Sequence, residues 1–197
     1  GKDSMSGSFG DLDVPPTLVS FAVASHRASR VVSPEFKSGG NRLYIFAAPY
    51  QTDGTPCYGV LRDTWRRIHA LVLENRIVSM WALGSGGVAE GIIKMSLGNR
   101  VGVRFESGID VYSLFEQNYG AILAECTDEI PGAVLLGTTV PEGKIHLPDG
   151  AAVSVAELSG FWELGLEQVF PTRTKDMGRV PKLSFAGRSA CRPIVRT

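Results

Sequence analysis

Four small residues, Gly84, Ser85, Gly86 and Gly87, have the types and spacing in this chain that point most directly to chemistry. They follow an apolar run, residues 77–83, that predicts a buried strand, and they precede an amphipathic stretch that predicts a helix. A glycine turn at this place leaves the first backbone N–H groups of the helix free, at the positive end of the helix dipole. Such a turn can cradle an anion, for example a phosphate group.

Packing alone offers a second interpretation of the same turn. Its spacing matches neither the P-loop pattern nor the dinucleotide-binding fingerprint, and a sharp strand-to-helix turn needs small residues in any case. Glu90 and Lys94 follow on the predicted helix, four residues apart. They form either an ordinary surface pair or, if phosphate binds, a site with a cation nearby. Both interpretations stay open from the spacing.

Composition narrows the class of protein. The 197 residues are 44% hydrophobic and 20% charged, which predicts one folded domain with a sizeable core. Lys plus Arg equals Asp plus Glu at 20 each, so a nucleic-acid or anionic-membrane surface over the whole domain is not expected. No apolar run reaches the roughly 18 residues of a membrane span.

The cysteines and histidines suggest no metal centre. Cys57, Cys126 and Cys191 are odd in number and widely spaced, which fits neither a metal pattern nor a disulfide framework and favours a reducing, cytoplasmic location. The three histidines are isolated in sequence, and each is expected at the surface or half buried: His26, His69 and His146.

Helical periodicity predicts how the glycine turn is positioned. After the turn, Val88, Ile92 and Met95 fall on one face of a helix. Before it, residues 60–74 form the clearest helix, with one buried stripe made by Leu61, Trp65, Ile68 and Val72. A last helix is predicted over residues 153–170, with Ser154 and Glu157 as a capping box, Phe161 among its apolar positions and Trp162 in the core.

Strand patterns fill the rest of the chain. They predict strands at residues 17–25, 42–48, 77–83, 101–105 and 119–126, one helical turn at 110–115, and a hairpin of 133–140 with 144–147. The fold class that follows is α/β of the α+β type, a mixed β-sheet flanked by helices.

The ends of the chain differ from its middle. Residues 1–16 are small and polar and include Pro15 and Pro16, which predicts an irregular connector. Residues 17–171 are the predicted domain. Residues 172–197 are basic and predict a solvated linker, with RNA or phosphate contact as the alternative. Because the chain begins at Gly1 without Met, we expect it to be part of a longer protein.

Five segments together resemble phosphoribosylformylglycinamidine synthase, in the order in which that family carries them. The first resembles the end of its second N-type subdomain, and the others resemble parts of its second C-type subdomain. They are GKDSMS (1–6), DLDVPPTLVSFAVA (11–24), GGVAEGIIKMSLGNRVGV (86–103), LFEQNYGAILAE (114–125) and FWELGLEQVFPTR (161–173). The last residues resemble the linker that precedes the glutaminase domain.

The resemblance implies a C–N bond-forming ligase and glutamine amidotransferase of de novo purine biosynthesis. Such an enzyme uses ATP and glutamine-derived ammonia to convert formylglycinamide ribonucleotide to the amidine. ATP or ADP and magnesium are then cofactors of the whole enzyme, which acts in the cytoplasm on small-molecule substrates. Its N-type subdomains and glutaminase domain are the expected partners, and neither nucleic acid nor a membrane is.

This chain would then be one C-type subdomain, with a fold like the C-terminal domain of aminoimidazole ribonucleotide synthetase, and inactive by itself. It would contribute scaffold and part of a nucleotide or phosphate pocket at residues 84–87. Lys2, Asp3 and Ser4 are further candidates for that pocket. The resemblance transfers no catalytic residue and no metal ligand to this sequence.

One departure from the family affects the metal. Familiar members carry Asp-Arg-Ser-Asp-Gly-Gly at the second glycine turn, where the acids serve magnesium and an auxiliary nucleotide. Here Ala82 and Ser85 stand where the two acids would be. Since carboxylates are the usual magnesium ligands, the metal contact is expected to be lost. A stand-alone ligand-binding or interaction module of the same fold is the alternative function. A self-sufficient kinase-like enzyme is disfavoured because no complete catalytic set is present.

Overall fold

Nine strands form two separate sheets in the structure, a computed structural model that describes residues 2–172. They are β1 (Lys2–Phe9), β2 (Leu12–Ser20), β3 (Arg42–Phe46), β4 (Ile77–Ala82), β5 (Gly102–Phe105), β6 (Ile122–Cys126), β7 (Val134–Val140), β8 (Lys144–His146) and β9 (Ala152–Ser154). β1 and β2 form a two-stranded ribbon. The other seven form a mixed sheet in the order β4-β6-β3-β7-β5-β8-β9, in which only β5 and β8 are parallel.

Three α-helices accompany the mixed sheet in the described part of the chain. They are α1 (Tyr58–Leu73), α2 (Gly87–Leu97) and α3 (Val155–Leu164), with short 3-10 turns at Ala28–Arg30 and Tyr112–Phe115. The predicted α+β class is thereby confirmed, as are the helices that flank the glycine turn. The chain divides into two units, residues 1–158 and residues 159–197, and all nine strands lie in the first.

Helices α1 and α2 cover opposite faces of the mixed sheet. Leu43 of β3 and Leu123 of β6 pack in one core with Val88, Ile92 and Met95 of α2. The alternate strand residues, which include Tyr44, Phe46, Ala124 and Cys126, pack in a second core with Ile68 and Val72 of α1. Because successive side chains of a strand point to opposite faces, the two central strands are buried on both sides.

The predicted hairpin of residues 133–140 with 144–147 is wrong. β7 and β8 are not neighbours, because β5 lies between them, antiparallel to β7 and parallel to β8. The connecting chain instead crosses beside Gly102, where a Cβ atom would collide with the backbone of Glu142 and Lys144. β8 forms its antiparallel pair with β9. The pairing thus depends on a distant strand that the local turn signal cannot reveal.

The irregular connector predicted for residues 1–16 is also wrong, because β1 and β2 form a ribbon there. β2 begins at Leu12 and ends at Ser20, earlier than the predicted strand of residues 17–25. The register shifts between Met5 and Gly7, where Pro15 and Pro16 together lie opposite a single residue. A bulge of this kind tolerates proline, since the residues there need not donate to the ladder.

Trp65 was predicted to lie in the buried stripe of α1, and the structure contradicts this. Leu61, Ile68 and Val72 are buried, but Trp65 is 48% exposed. Its indole Nε1 donates a hydrogen bond of 2.9 Å to the carbonyl oxygen of Gly120. The ring therefore lies at the edge of the stripe, against the loop that leads into β6.

The last predicted helix is shorter than residues 153–170, because α3 ends at Leu164 and Gly165 follows. Beyond it the chain forms turns, in which Val169 and Phe170 donate backbone hydrogen bonds to the Leu166 oxygen. Trp162, predicted as core, is exposed, and so is Phe161. Most of the predicted linker, residues 173–197, lies outside the described residues.

The two kinds of position on α1 predict different costs of truncation. We expect Ile68→Ala to lower the free energy of unfolding by about 2–5 kcal/mol, because the side chain is fully packed. Trp65→Ala should cost roughly 1–2 kcal/mol, from partial burial and one lost hydrogen bond. Urea unfolding of both variants measures the difference, and equal losses would contradict the assignment of Trp65 to the edge.

Candidate functional site

The glycine turn joins β4 to α2 and is held from both sides by buried side chains. Leu83 precedes it and Val88 follows it, and both belong to the core on the α2 face of the sheet. Ser85 is exposed at the tip, Gly84 and Gly86 are half buried, and Gly87 is buried. The structure therefore brings together the four residues predicted as a phosphate site.

The carboxylate of Glu90 lies against a backbone N–H group of this turn. Its Oε2 accepts a hydrogen bond of 2.9 Å from the backbone N–H of Gly86, which is the N-cap residue of α2. A Cβ atom added at Gly86 would lie 2.6 Å from Glu90 Cβ and 2.8 Å from Glu90 Oε2. The carboxylate thus folds back over the turn, as the acid of a capping box does, and satisfies a donor that the helix leaves unpaired.

Gly87 packs against the chain that leads from the second 3-10 turn. It has a φ of +63°, and a Cβ atom there would lie 2.5 Å from the carbonyl oxygen of Glu116 and 2.8 Å from that of Leu114. Both the left-handed conformation and the close approach require glycine. The side of the turn at Gly87 is therefore covered by carbonyl oxygens, which carry partial negative charge.

A phosphate group does not fit the turn as it stands. An oxyanion needs free donors, but the N–H of Gly86 already binds a carboxylate, and carbonyl oxygens lie against Gly87. Ala82 and Ser85 carry no carboxylate with which to hold magnesium. That residues 84–87 bind a nucleotide or phosphate stays a prediction, and this geometry weighs against it.

The further candidates Lys2, Asp3 and Ser4 lie on β1, in the ribbon and not in the mixed sheet. Their partners in the ladder are Ser20, Val19 and Leu18. The side chains of Lys2 and Asp3 are outside the described part of the structure, and Ser4 is exposed. Their membership of a nucleotide pocket also stays a prediction.

A buried acid that the sequence analysis missed lies in β6. Glu125 is fully buried, and its two oxygens accept hydrogen bonds from backbone and side-chain donors. The donors are Lys37 N (2.8 Å), Ser38 N (3.4 Å), Asn41 Nδ2 (2.7 Å) and Ser79 Oγ (2.7 Å). This cluster ties the loop before β3 to β4 and β6. Since the carboxylate is closed off from solvent by its own donors, its role is structural. The signal in the sequence was an acid inside an otherwise apolar strand.

The other reactive side chains in the described part of the chain form no catalytic set. Burial raises the pKa of the Cys126 thiol to about 12, so it stays protonated and is a poor nucleophile. His26 and His69 meet edge to face with ring centroids 5.9 Å apart, and both are exposed. Among residues 2–172, no group of three or more His, Cys, Asp or Glu side chains is placed to hold a metal ion. No helix in that range is both long and apolar enough to cross a membrane.

A cavity of about 220 Å³ lies beside α2, and its lining is apolar. Ile92 and Ile93 of α2, Phe105 of β5 and Leu114 of the 3-10 turn contribute to it. A nucleotide needs convergent polar groups as well as apolar surface, so this cavity does not suit one.

The fold places the chain in a known structural class. No family model and no curated protein matches the sequence. The mixed sheet of seven strands with its flanking helices matches an aminoimidazole ribonucleotide synthetase-like α+β fold, which several solved structures share.

Several of the similar structures are of PurL from Thermotoga maritima. Phosphoribosylformylglycinamidine synthase II matches with a TM-score of 0.57 and 12% identity, over 81% of this chain and 31% of that one. PurL complexed with ATP matches with a TM-score of 0.54 and 13% identity, over 68% and 28%. The PurLQS structure matches with a TM-score of 0.56 and 12% identity, over 84% and 32%. The expected resemblance is thus confirmed for the fold, and this chain spans about a third of the length of those proteins.

The packing around Gly87 predicts a loss of folding stability on substitution that does not depend on any ligand. We expect Gly87→Ala to lower the free energy of unfolding by roughly 2–5 kcal/mol, since it adds a backbone collision to the strain of a positive φ. Gly132→Ala is the matched control, because Gly132 has a φ of +71° but open space around it, and should cost about 1–2 kcal/mol. Chemical denaturation compares the two. If Gly87→Ala were as mild as the control, the packing of the turn would be looser than described.

The hydrogen bonds of Glu125 predict a second large loss of stability. Glu125→Gln replaces one accepting carboxylate oxygen with an NH2 group, which would face the donors that now bind that oxygen. We therefore expect a loss of roughly 2–5 kcal/mol in unfolding free energy. The control is Glu129→Gln at an exposed position of the following loop, which should stay within about 0.5 kcal/mol of the parent. A Glu125→Gln variant as stable as this control would show that the cluster contributes little.

Proposed function

We propose that this chain is a C-type subdomain of a phosphoribosylformylglycinamidine synthase and acts there as scaffold. The observation that carries the proposal is the fold, which aligns with PurL over most of this chain. The five sequence segments that resemble that family support it, because they occur in the family's order. The whole protein would convert formylglycinamide ribonucleotide to the amidine, with ATP and glutamine consumed, in the cytoplasm.

The proposed part in that reaction is structural and not catalytic. The solved PurL structures include complexes with ATP, ADP, AMPPCP and FGAR. The buried carboxylate of Glu125 is fully hydrogen-bonded, and the Cys126 thiol is protonated. Neither group can act as a general base at an open site. When bound, ATP would supply the phosphoryl group that activates the amide oxygen of the substrate. We propose that other parts of the protein hold most of that nucleotide.

The ribbon supports a place within a larger assembly. On one of its faces Phe9, Leu12 and Met5 are 86%, 65% and 58% exposed, and Val14 lies between them. A two-stranded ribbon is only marginally stable alone, and contiguous exposed apolar side chains usually mark a contact surface. In the proposed synthetase this face would contact an N-type subdomain. In the alternative, a stand-alone interaction module of the same fold, it would contact the module's own partner.

Titration calorimetry of ADP with magnesium tests the proposal. We expect no binding to this chain alone and saturable binding to a longer protein that also carries the preceding N-type subdomain, because a site shared between subdomains is incomplete in one of them. Binding to the chain alone would contradict the scaffold role and favour the stand-alone ligand-binding module. Binding to neither would leave no shared nucleotide site and would also count against the proposal.

A matched variant shows whether the turn contributes to that site. Ser85 is exposed at the tip of the turn, so Ser85→Ala should leave the fold intact and the ADP affinity of the longer protein within about twofold. A loss of tenfold or more would place the nucleotide at residues 84–87. The ligase activity itself is measured as ADP release by the whole protein with FGAR and glutamine.

A further inference from the structure

We infer that Glu90 takes the place of an anionic ligand at the glycine turn, so that this chain closes the turn to phosphate by itself. The inference rests on the proposed function, because the likeness to PurL is what makes a nucleotide expected here. It concerns the chain's own residues: a carboxylate from the first turn of α2 fills the position that the sequence predicts for a phosphate oxygen.

Two distances support the inference that the Glu90 carboxylate takes the place of a phosphate oxygen. Glu90 Oε2 lies 2.9 Å from the N–H of Gly86, the distance expected of an oxyanion on a backbone donor. A Cβ atom at Gly84 would lie 3.2 Å from the same oxygen, so the carboxylate covers both Gly84 and Gly86. A phosphate oxygen could reach the Gly86 donor only by displacing this carboxylate.

Electrostatics acts in the same direction. The positive end of the α2 dipole stabilises one anion in the first turn, and Glu90 already supplies it. A phosphate placed beside it would bring two like charges within a few ångströms. Neither Ala82, the last residue of β4, nor Ser85, in the turn, offers a carboxylate for a magnesium ion that could offset this repulsion.

Backbone packing closes the side of the turn at Gly87. Gly87 lies against the carbonyl oxygens of Leu114 and Glu116, which repel an anion and leave no room for one. The turn therefore has an acid on one side and carbonyl oxygens on another. The observations fit a self-capped structural corner better than an open cradle.

Amide NMR of the whole 197-residue chain tests the inference, with inorganic phosphate and magnesium ADP as probes. We expect the Gly86 amide of the parent to keep its chemical shift up to about 10 mM of either probe. Glu90→Ala should speed hydrogen exchange of that amide by about tenfold or more, because the donor loses a charged acceptor. Glu157→Ala, which removes an exposed acid from the first turn of α3, is the control and should leave Gly86 unchanged.

Two results would overturn the inference. One is a saturable shift of the parent's Gly86 amide with phosphate or magnesium ADP. The other is exchange in Glu90→Ala within twofold of the parent. Should Glu90→Ala fail to fold, Glu90→Gln keeps the length and one acceptor oxygen, and a smaller acceleration of about two- to fivefold is expected. No acceleration in Glu90→Gln would then be the contradicting result.

Failure of this inference and failure of the proposed synthetase role give different results. A longer protein that binds ADP while Gly86 stays silent supports both statements. One that binds no ADP removes the proposed role but leaves the exchange result for Gly86 standing.

Discussion

The burial of β3 and β6 on both faces is the constraint on which the rest of the structure depends. Leu43 and Tyr44 are adjacent in sequence, yet they belong to different cores, each covered by its own helix. Both helices must therefore return onto the sheet at close range. Gly91 of α2 shows how close, since a Cβ atom there would lie 2.6 Å from the Leu123 side chain. The glycines around the turn follow in large part from this need for close packing.

The turn illustrates how a packing requirement can resemble a binding motif. Small residues let α2 begin sharply after β4 and let Gly87 approach the chain near Glu116. Those same residues expose backbone N–H groups, which is why the sequence also predicts an anion cradle. What separates the two interpretations is one side chain, Glu90, whose carboxylate binds the Gly86 donor. The spacing of Glu90 and Lys94 drew attention to a surface pair and not to this contact.

Local patterns predicted the elements of the fold better than their pairing. The helical spacing of Leu61, Ile68 and Val72 located α1, and Val88, Ile92 and Met95 located α2, because each pattern reflects a face that must be buried. The position of β5 between β7 and β8 depends on residues roughly 30 to 40 positions apart, such as Phe105 with Gly137 and Val103 with Ile145, and no local signal encodes it. Pro15 and Pro16 misled for a different reason, since a bulge accommodates residues that a regular ladder excludes.

The position of the glycine turn was predictable from the sequence, but the side chain that caps it was not. Residue types located the turn, whereas the direction in which Glu90 points depends on rotamers that sequence spacing does not fix. Glu125 could have been inferred, because an acid in a strand of buried neighbours needs several donors. The likeness to PurL adds the fold and nothing finer at 11–13% identity, since unrelated functions can share one architecture. A scaffold role requires that the fold stay packed, but it does not require backbone donors in the glycine turn to stay free for a ligand. A turn whose Gly86 donor is bound by the chain's own Glu90 is consistent with that role.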